Sequence, residues 1–446
     1  MDCTVAITGR WNSRIGSALL SHDEQSALLI MTIVKTNSLR AIYAASVVLV
    51  ASACGGGGGG GNDPPATGTQ NPPAAPGSGA DIVGVTFDWS SHQRFARGSD
   101  NWPVTWSDDD NQYAMWGDGG GFEGSDDSKD SNYTSFGVSK LTGDYNNYSG
   151  TNVYGGVNRQ CESTLIGKSH GAPLSINSGV LYTWVTSGSD GHAGFTTFTL
   201  YRSDDKACTW SKLNVAFTSD VTPPAGDEDT DEVAYGGFVQ FGKDYQSAID
   251  DYVYVVAVKP TETDGVLYLH KPGQIDLIRV PRISIEDRGA YEFFAGLDAN
   301  GNPSWSTNAS SAKPVITDAT GVGTFPQIIY VPELKRFVYT NQYGDGTVAT
   351  NRAGDEYPAG DLALLSMAQA KNIWGPYTEF YRKRFIDGIP AGHTPEVPET
   401  LFQWNFAPKW FRNQTNNSLD FTMIFTGTGD NDSLNVIDGS FALSTK

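Results

Sequence analysis

Helical patterning is what this sequence of 446 residues lacks most. Apolar residues at i, i+3, i+4 and i+7 recur over no long stretch, and Leu362 to Ala370 alone comes near the pattern, which excludes a helical bundle. The apolar run from Ala41 to Val50 is too short for a membrane-spanning helix. Basic residues are few: 30 Lys and Arg face 50 Asp and Glu, for a net charge of -20 and a pI near 4.6. A surface that neutralises phosphates must be basic, so nucleic acid is excluded as a partner. An anionic substrate would in turn need a local cluster of cations. Cysteines number only four, too few for a disulfide-dense scaffold.

What is present points to β structure. Aromatics make up 12% of the chain, with 51 glycines and 22 prolines, the mix of strands and tight turns. Met1 to Ile30 resemble no export signal and read as a segment upstream of a true start at Met31. From Met31 to Ala53 the order is that of a lipoprotein signal: Lys35 and Arg40, then the apolar run, then Ala51-Ser52-Ala53 before Cys54. Cys54 is the expected lipidated N-terminus, and residues 54–80, rich in glycine and proline, form a flexible tether. The protein is therefore expected outside the cytoplasm, anchored through lipid at the outer membrane or cell surface, or secreted. In that setting Cys161 and Cys208 either close a disulfide or share a metal with a histidine.

The stretch Gly167 to Trp210 reads as one four-stranded propeller blade. Its period-2 runs are Ala172 to Ile176, Val180 to Thr186, Phe195 to Tyr201 and Trp210 onward, separated by turn residues. In an antiparallel meander the start of the first strand and the loop between the second and third lie at one end of the sheet. His170 and His192 occupy those two places and so share a rim. Ser203 to Trp210 resembles the Asp-box turn of sialidase-like blades, with Ala207 where glycine is usual. Strand, turn and aromatic strand recur from Asn101, Leu174, Phe238, Gln327 and Ala407, about every 60 to 80 residues, as propeller blades would. The fold class is thus all-β, a single β-propeller over residues 81–446.

In the third such unit the strands are expected at Tyr235 to Tyr245, Tyr252 to Val258, Val266 to Leu269 and Ile275 to Val280. This register puts Tyr235, Tyr268, His270 and Lys271 on the rim of His170 and His192, with Arg279 and Arg282 just beyond the hairpin. Lys168 and Tyr245 join them as candidate substrate contacts.

Several phrases resemble a known family. Asn101-Trp102-Pro103, Gly167-Lys168-Ser169-His170-Gly171, Phe241-Gly242-Lys243-Asp244-Tyr245, Leu277-Ile278-Arg279-Val280-Pro281 and Trp374-Gly375-Pro376 are similar to the ulvan lyases of the seven-bladed propeller type. The resemblance implies seven blades and a polysaccharide lyase that cleaves a uronate-containing, ulvan-like polysaccharide by β-elimination. It also implies a site of two histidines, a tyrosine and an arginine, onto which His170, His192, Tyr268 and Arg279 map. The chemistry needs each type: Arg279 with His192 neutralises the uronate carboxylate, His170 takes the C5 proton, and Tyr268 protonates the leaving oxygen. No cofactor is required for that reaction, although a structural calcium or zinc is compatible with the Asp-rich turns and the cysteines. A monomer working on an anionic polysaccharide is expected.

Two other classes stay open. A propeller glycoside hydrolase would draw on paired carboxylates from Asp108, Asp109, Asp110, Asp118, Asp250 and Asp251. A glycan-binding lipoprotein without catalysis would stack sugars on Trp102, Trp106 and Trp116.

Overall fold

The structure is a computed structural model. It describes residues 27–33, 45–51 and 79–445, apart from 126–131, 165–166, 168–170, 187–196, 219–232, 260, 264–265, 269–272, 324–325, 344–347, 351–355, 359–363, 385–389, 391–399 and 429–431. Upstream, β1 (Ala27–Ile33) pairs antiparallel with β2 (Ala45–Ala51), a hairpin belonging to the unit Met1–Gln70. Everything else belongs to the second unit. Among the described residues no helix is long and apolar enough to cross a membrane.

Five antiparallel sheets make up the second unit, each a blade. Blade 1 is β4 (Asp100–Trp106), β5 (Gln112–Gly117), β6 (Gly137–Thr142) and β7 (Ser149–Tyr154). Blade 2 is β8 (Leu174–Ile176), β9 (Val180–Thr186), β10 (Thr197–Ser203) and β11 (Ser211–Thr218). Blade 3 opens with β12 (Ala234–Phe238), β13 (Tyr252–Val258) and β16 (Gly273–Pro281), and between the last two lies a separate hairpin of β14 (Thr261–Thr263) and β15 (Val266–Tyr268). Its outer position is split. β17 (Glu292–Leu297) pairs with β16 at Ile278 and Arg279, β18 (Pro303–Ser306) folds back on β17, and β19 (Ile316–Asp318) returns to pair with β16 at Gly273 to Ile275. Blade 4 is β20 (Gln327–Val331), β21 (Arg336–Tyr343), β24 (Leu364–Ala370) and β25 (Thr378–Arg384), with the hairpin β22 (Val348–Thr350) and β23 (Glu356–Pro358) between β21 and β24. Blade 5 is β26 (Thr400–Phe406), β27 (Ser418–Thr428) and β28 (Ser433–Leu443), and its outer strand is the N-terminal β3 (Ile82–Phe95).

Pairing the N-terminal β3 with the C-terminal β28 closes the ring, with β3 as the outer edge strand of blade 5. Arg336, almost wholly buried, donates to Asp81 and to the Gly79 carbonyl, and Gln369 bonds both the N–H and the carbonyl of Ile82, so the chain start is pinned to blade 4.

The count corrects the seven blades implied by the family resemblance to five. The five recurring phrases of the sequence are the five blades themselves. Within Leu362 to Ala370, the one near-helical pattern, Leu364–Ala370 forms β24 instead, paired with β21 on one side and β25 on the other and with Leu365, Met367 and Ala370 buried. Blade 2 falls where the sequence puts it. In blade 3 the register differs: Val266 to Tyr268 belongs to the inserted hairpin, and the true third strand is the β-branched run that ends at Pro281.

Strand direction gives the ring two unlike faces. On the mouth face the innermost strands begin, the second and third strands are joined, and each blade crosses to the next. The turn face holds the tight connections within each blade, such as Asn177, Ser178 and Gly179, all with left-handed φ. Hydrophobic clusters fill the space between neighbouring blades, and Trp184 packs against Phe198, Phe217 and Phe238 between blades 2 and 3.

Candidate functional site

Innermost strands line the central channel, and three of the five break register towards the mouth. In β4 the pairing with β5 shifts between Asn101 and Val104, with Asn101 and Trp102 both left-handed at φ 80° and 58°. In β26 it shifts between Phe402 and Asn405, with Gln403 at φ 51°. In β12 it shifts between Ala234 and Gly237. Bulges re-aim side chains and favour channel rims, and a left-handed residue other than glycine costs about 1–2 kcal/mol. Pro103 fits such a place, because a bulge leaves an N–H that the ladder does not need.

The bulges collect polar groups at the mouth. Asn101, Gln403 and Asn405 are buried there. The Gln403 N–H donates to the Gln342 side chain at 3.0 Å, and the Asn405 amide donates to the carbonyls of Gln403 at 2.9 Å and Trp102 at 3.4 Å. Below them a small cavity is lined by Val104, Gln240, Gln327, Thr340, Asn405 and Phe406. Asn405 Oδ1 and Gln327 Nε2 have no hydrogen-bond partner in it.

Two carboxylates stand at the mouth end of blade 1. Asp100 opens β4 and accepts from the Asn101 amide at 2.6 Å. Its register partner is Gly117, so Asp118 follows directly on the neighbouring strand, left-handed at φ 53° and accepting from the Tyr133 hydroxyl at 2.7 Å. Sequence reasoning missed Asp100, although the Asn101-Trp102-Pro103 phrase beside it stood out; a proline at the start of an inner strand was the available signal.

The two histidine-bearing stretches are anchored side by side. A Cβ on Gly167 would sit 2.5 Å from the Thr186 carbonyl oxygen, and one on Gly171 would sit 2.0 Å from the Gly236 carbonyl oxygen. Hence the last described residues before Lys168 and before His192 touch, and the residue after His170 lies against the β12 bulge that contains Tyr235. His170, His192, Lys168, His270 and Lys271 themselves lie outside the described residues, as do the side chains of Tyr235 and Tyr268. The backbone of Tyr268 pairs with Thr261 in the hairpin on the mouth face.

Other expected site residues are at the far end. Arg279 pairs with Tyr254 near the turn face, where its guanidinium lies 4.1 Å from the Tyr252 ring centroid and 4.0 Å from that of Trp305 and is held by Glu292 at 2.8 Å. Its place on the mouth rim is therefore corrected: the third strand of blade 3 starts seven residues later than Val266 and carries Arg279 to its opposite end. Tyr245 is likewise corrected. It is buried in the turn after β12, its hydroxyl accepts the Tyr254 N–H, and burial pushes the phenol far above its ordinary range.

Most of the hydrolase candidates share that fate. Lys206 pairs with Asp108, holding its carboxyl below the ordinary value. Asp110 meets Lys243 at 3.2 Å and Lys409 at 3.0 Å, so four blades are linked across the turn face. Asp250, whose pKa burial raises, accepts from the Tyr254 hydroxyl at 2.6 Å, and Asp251 lies in the same turn. Of that set Asp118 alone is on the mouth face. Trp102 and Trp116 are fully buried and stack on each other, so they form core rather than a sugar platform, and Trp106 lies at the turn face under Lys243.

Cys161 and Cys208 form a disulfide, which consumes the thiolates a zinc site would need. Among the described residues no three His, Cys, Asp or Glu side chains come together to hold a metal.

No protein family and no curated protein matches the sequence. Solved structures do resemble the fold. The GH43_1 enzyme from Xanthomonas citri complexed with xylose is 11% identical with a TM-score of 0.40, over 80% of this chain and 94% of that one. The family-43 glycoside hydrolase from Bacillus licheniformis is 11% identical with a TM-score of 0.40, over 77% of this chain and 71% of that one. A thermostable family-43 glycoside hydrolase is 11% identical with a TM-score of 0.39, over 76% and 89%. No residue is carried over from that likeness; it is the chain's own strand pairing that makes it an all-β, five-bladed propeller.

Proposed function

We propose that the protein is a carbohydrate-active enzyme that takes a glycan at the channel mouth and hydrolyses it with carboxylates of the mouth face. The observation that carries this reading is the pair of carboxylates at the mouth end of blade 1, where Asp100 opens β4 and Asp118 follows its register partner Gly117, beside the buried amides of Asn101, Gln403 and Asn405. Arg279, the cation a uronate carboxylate would need, lies instead at the turn face, bound by Glu292. Asp100 and Asp118 supply candidate acid and base, one to protonate the leaving oxygen and one to activate water.

The β-elimination reading survives on one observation, the contact between the anchors of the His170 and His192 stretches, and would keep those histidines as base and carboxylate partner with Tyr268 as acid. Incubation with neutral xylan and arabinan, and in parallel with ulvan, separates the two. New reducing ends from a neutral glycan without an unsaturated product support hydrolysis. An ultraviolet-absorbing unsaturated uronate released from ulvan, abolished by His170→Ala, would instead establish the lyase. Retention of a glycan without cleavage would leave a binding protein.

A further inference from the structure

Asp118 is held in a conformation that its own backbone disfavours. Its φ of 53° is left-handed, and such a residue persists only where the surroundings over-determine it, as they do at binding and catalytic sites. Both of its neighbours are fixed. A Cβ on Gly117 would sit 2.9 Å from Asp100 Oδ1, and one on Gly119 would sit 2.2 Å from the Gly98 carbonyl oxygen. The Gly121 N–H donates to Ser99 Oγ at 2.8 Å, and the Asn152 side chain bonds Gly120, Phe122 and Val157. The Asp100 carboxylate thus lies over the residue before Asp118, and the loop after Asp118 is bound to its own blade.

Tyr133 is fixed in the same way. Thr134 exchanges both backbone hydrogen bonds with Gly119 at 3.0 and 3.3 Å, its side chain bonds the Phe136 N–H and carbonyl, and Ser135 Oγ donates to the Gly167 carbonyl at 3.1 Å. From that frame the Tyr133 hydroxyl donates to Asp118 Oδ1 at 2.7 Å. The residue nevertheless stays 41% exposed, and among the residues whose side chains are described no other aromatic is as open to solvent. Phe136, three residues on, is fully buried. A tyrosine with an engaged hydroxyl and an open ring presents a flat apolar surface beside a polar edge, which suits a ligand with one apolar and one hydroxylated side.

We propose that Tyr133 is both the positioning residue for Asp118 and the platform for the sugar unit bound beside it. This rests on the reading of Asp100 and Asp118 as acid and base. The C–H face of the sugar lies on the Tyr133 ring, and its hydroxyls turn towards the two carboxylates, which accept from them. The unit so bound is neutral, because a uronate in the same place would bring a third carboxylate against Asp100 and Asp118. The two roles are separable in one side chain: the hydroxyl acts on the chemical step through Asp118, and the ring acts on binding.

The test combines affinity electrophoresis of the full chain in gels cast with soluble xylan or arabinan and steady-state kinetics on the same glycans. Tyr133→Ala should raise the dissociation constant from retardation about tenfold. Tyr133→Phe should keep that constant and KM within about twofold, lower kcat about tenfold and leave Tm within about 2 °C of the parent. A double-mutant cycle reads the coupling: in Asp118→Ala the further change Tyr133→Phe should cost no more kcat, since the hydroxyl acts only through that carboxylate. Tyr133→Ala retarded like the parent overturns the platform, and additive loss of kcat in the double variant overturns the positioning role. The functional reading fails differently. Asp118→Ala at the parent rate, with Tyr133→Ala still weakly retarded, removes Asp118 and its positioning from the chemistry and leaves the sugar on Tyr133. A parent retarded by neither glycan overturns the platform and the reading together.

Discussion

Glu292 receives both Nε and Nη2 of Arg279 at 2.8 Å, and the guanidinium so held fills the space between the rings of Tyr252 and Trp305. A cation stacked on two rings and held by a carboxylate at the turn face is remote from a substrate at the mouth, and its contribution is to the packing of blade 3. Arg279→Ala should therefore lower unfolding free energy by about 2–4 kcal/mol and leave kcat/KM within about twofold at a temperature where the variant is folded. Denaturant titration beside a glycan assay checks both halves. A folded variant that has lost turnover would return Arg279 to the site.

The same contrast of faces sorts the carboxylates. Asp100→Asn and Asp118→Asn each keep side-chain volume while removing an acid or base, so each should reduce kcat by a factor of about 100 or more, with binding retained. Asp108→Asn and Asp110→Asn break lysine pairs on the turn face; their cost is to stability, about 1 kcal/mol or less for pairs as exposed as these, and not to turnover. Measuring kcat and Tm across the four variants decides it: equal loss of kcat on both faces would refute the assignment of the mouth.

Much of this was legible in the sequence, and the failures have physical causes. The blade from Leu174 to Thr218 was readable because both its tight turns use left-handed residues, and the outer one is closed by local side-chain bonds: Asp205 accepts from Thr209 N–H and Oγ1, and Ser203 Oγ accepts the Ala207 N–H. Ala207 itself is left-handed at φ 73°, the conformation that makes glycine usual there. The recurrence of strand, turn and aromatic strand was legible, but the number of blades came from the resemblance alone and was wrong, since a motif of one blade says nothing of how many close a ring. Arg279 was misplaced because Val266 to Tyr268 and the true third strand have the same period, and only pairing partners distinguish them. Asp100 was overlooked because a single aspartate before a bulge has no periodic signature.

Acid sensitivity should centre on the join between blades 3 and 4. Asp318 accepts from the Thr320 N–H at 3.0 Å and Oγ1 at 2.6 Å, and from Arg382 of β25 at 2.6 Å. Burial alone would push its pKa up, yet these bonds outweigh burial and hold it below the ordinary value. A carboxyl depressed in the folded state stabilises above its unfolded pKa of about 3.9, and that stability is lost as pH falls through the folded value. Asp318→Asn should thus cost about 1–3 kcal/mol at pH 7, and the gap from the parent should shrink at pH 3. An unfolding difference that stays constant between the two pH values would show that the charge is not what counts.

The disulfide offers the last test, because its effect is set by the loop it closes. Cys161 lies after blade 1 and Cys208 in the outer turn of blade 2, 47 residues apart, so the bond ties two neighbouring blades that otherwise meet through side-chain packing. Closing a loop of that length removes unfolded-state entropy worth about 4 kcal/mol. A propeller domain with a net stability of about 5–15 kcal/mol would lose a large part of it on reduction. Cys161→Ser with Cys208→Ser should therefore lower the urea midpoint, with an m-value raised because the unfolded chain is less compact. The ring stays closed, since β3 still pairs with β28, and cleavage at the mouth should persist at low temperature. Reductant applied to the parent should reproduce the shift and leave the double variant unmoved. If reductant shifts both equally, the stabilisation belongs to something other than this bond, and the two blades are held by their packing alone.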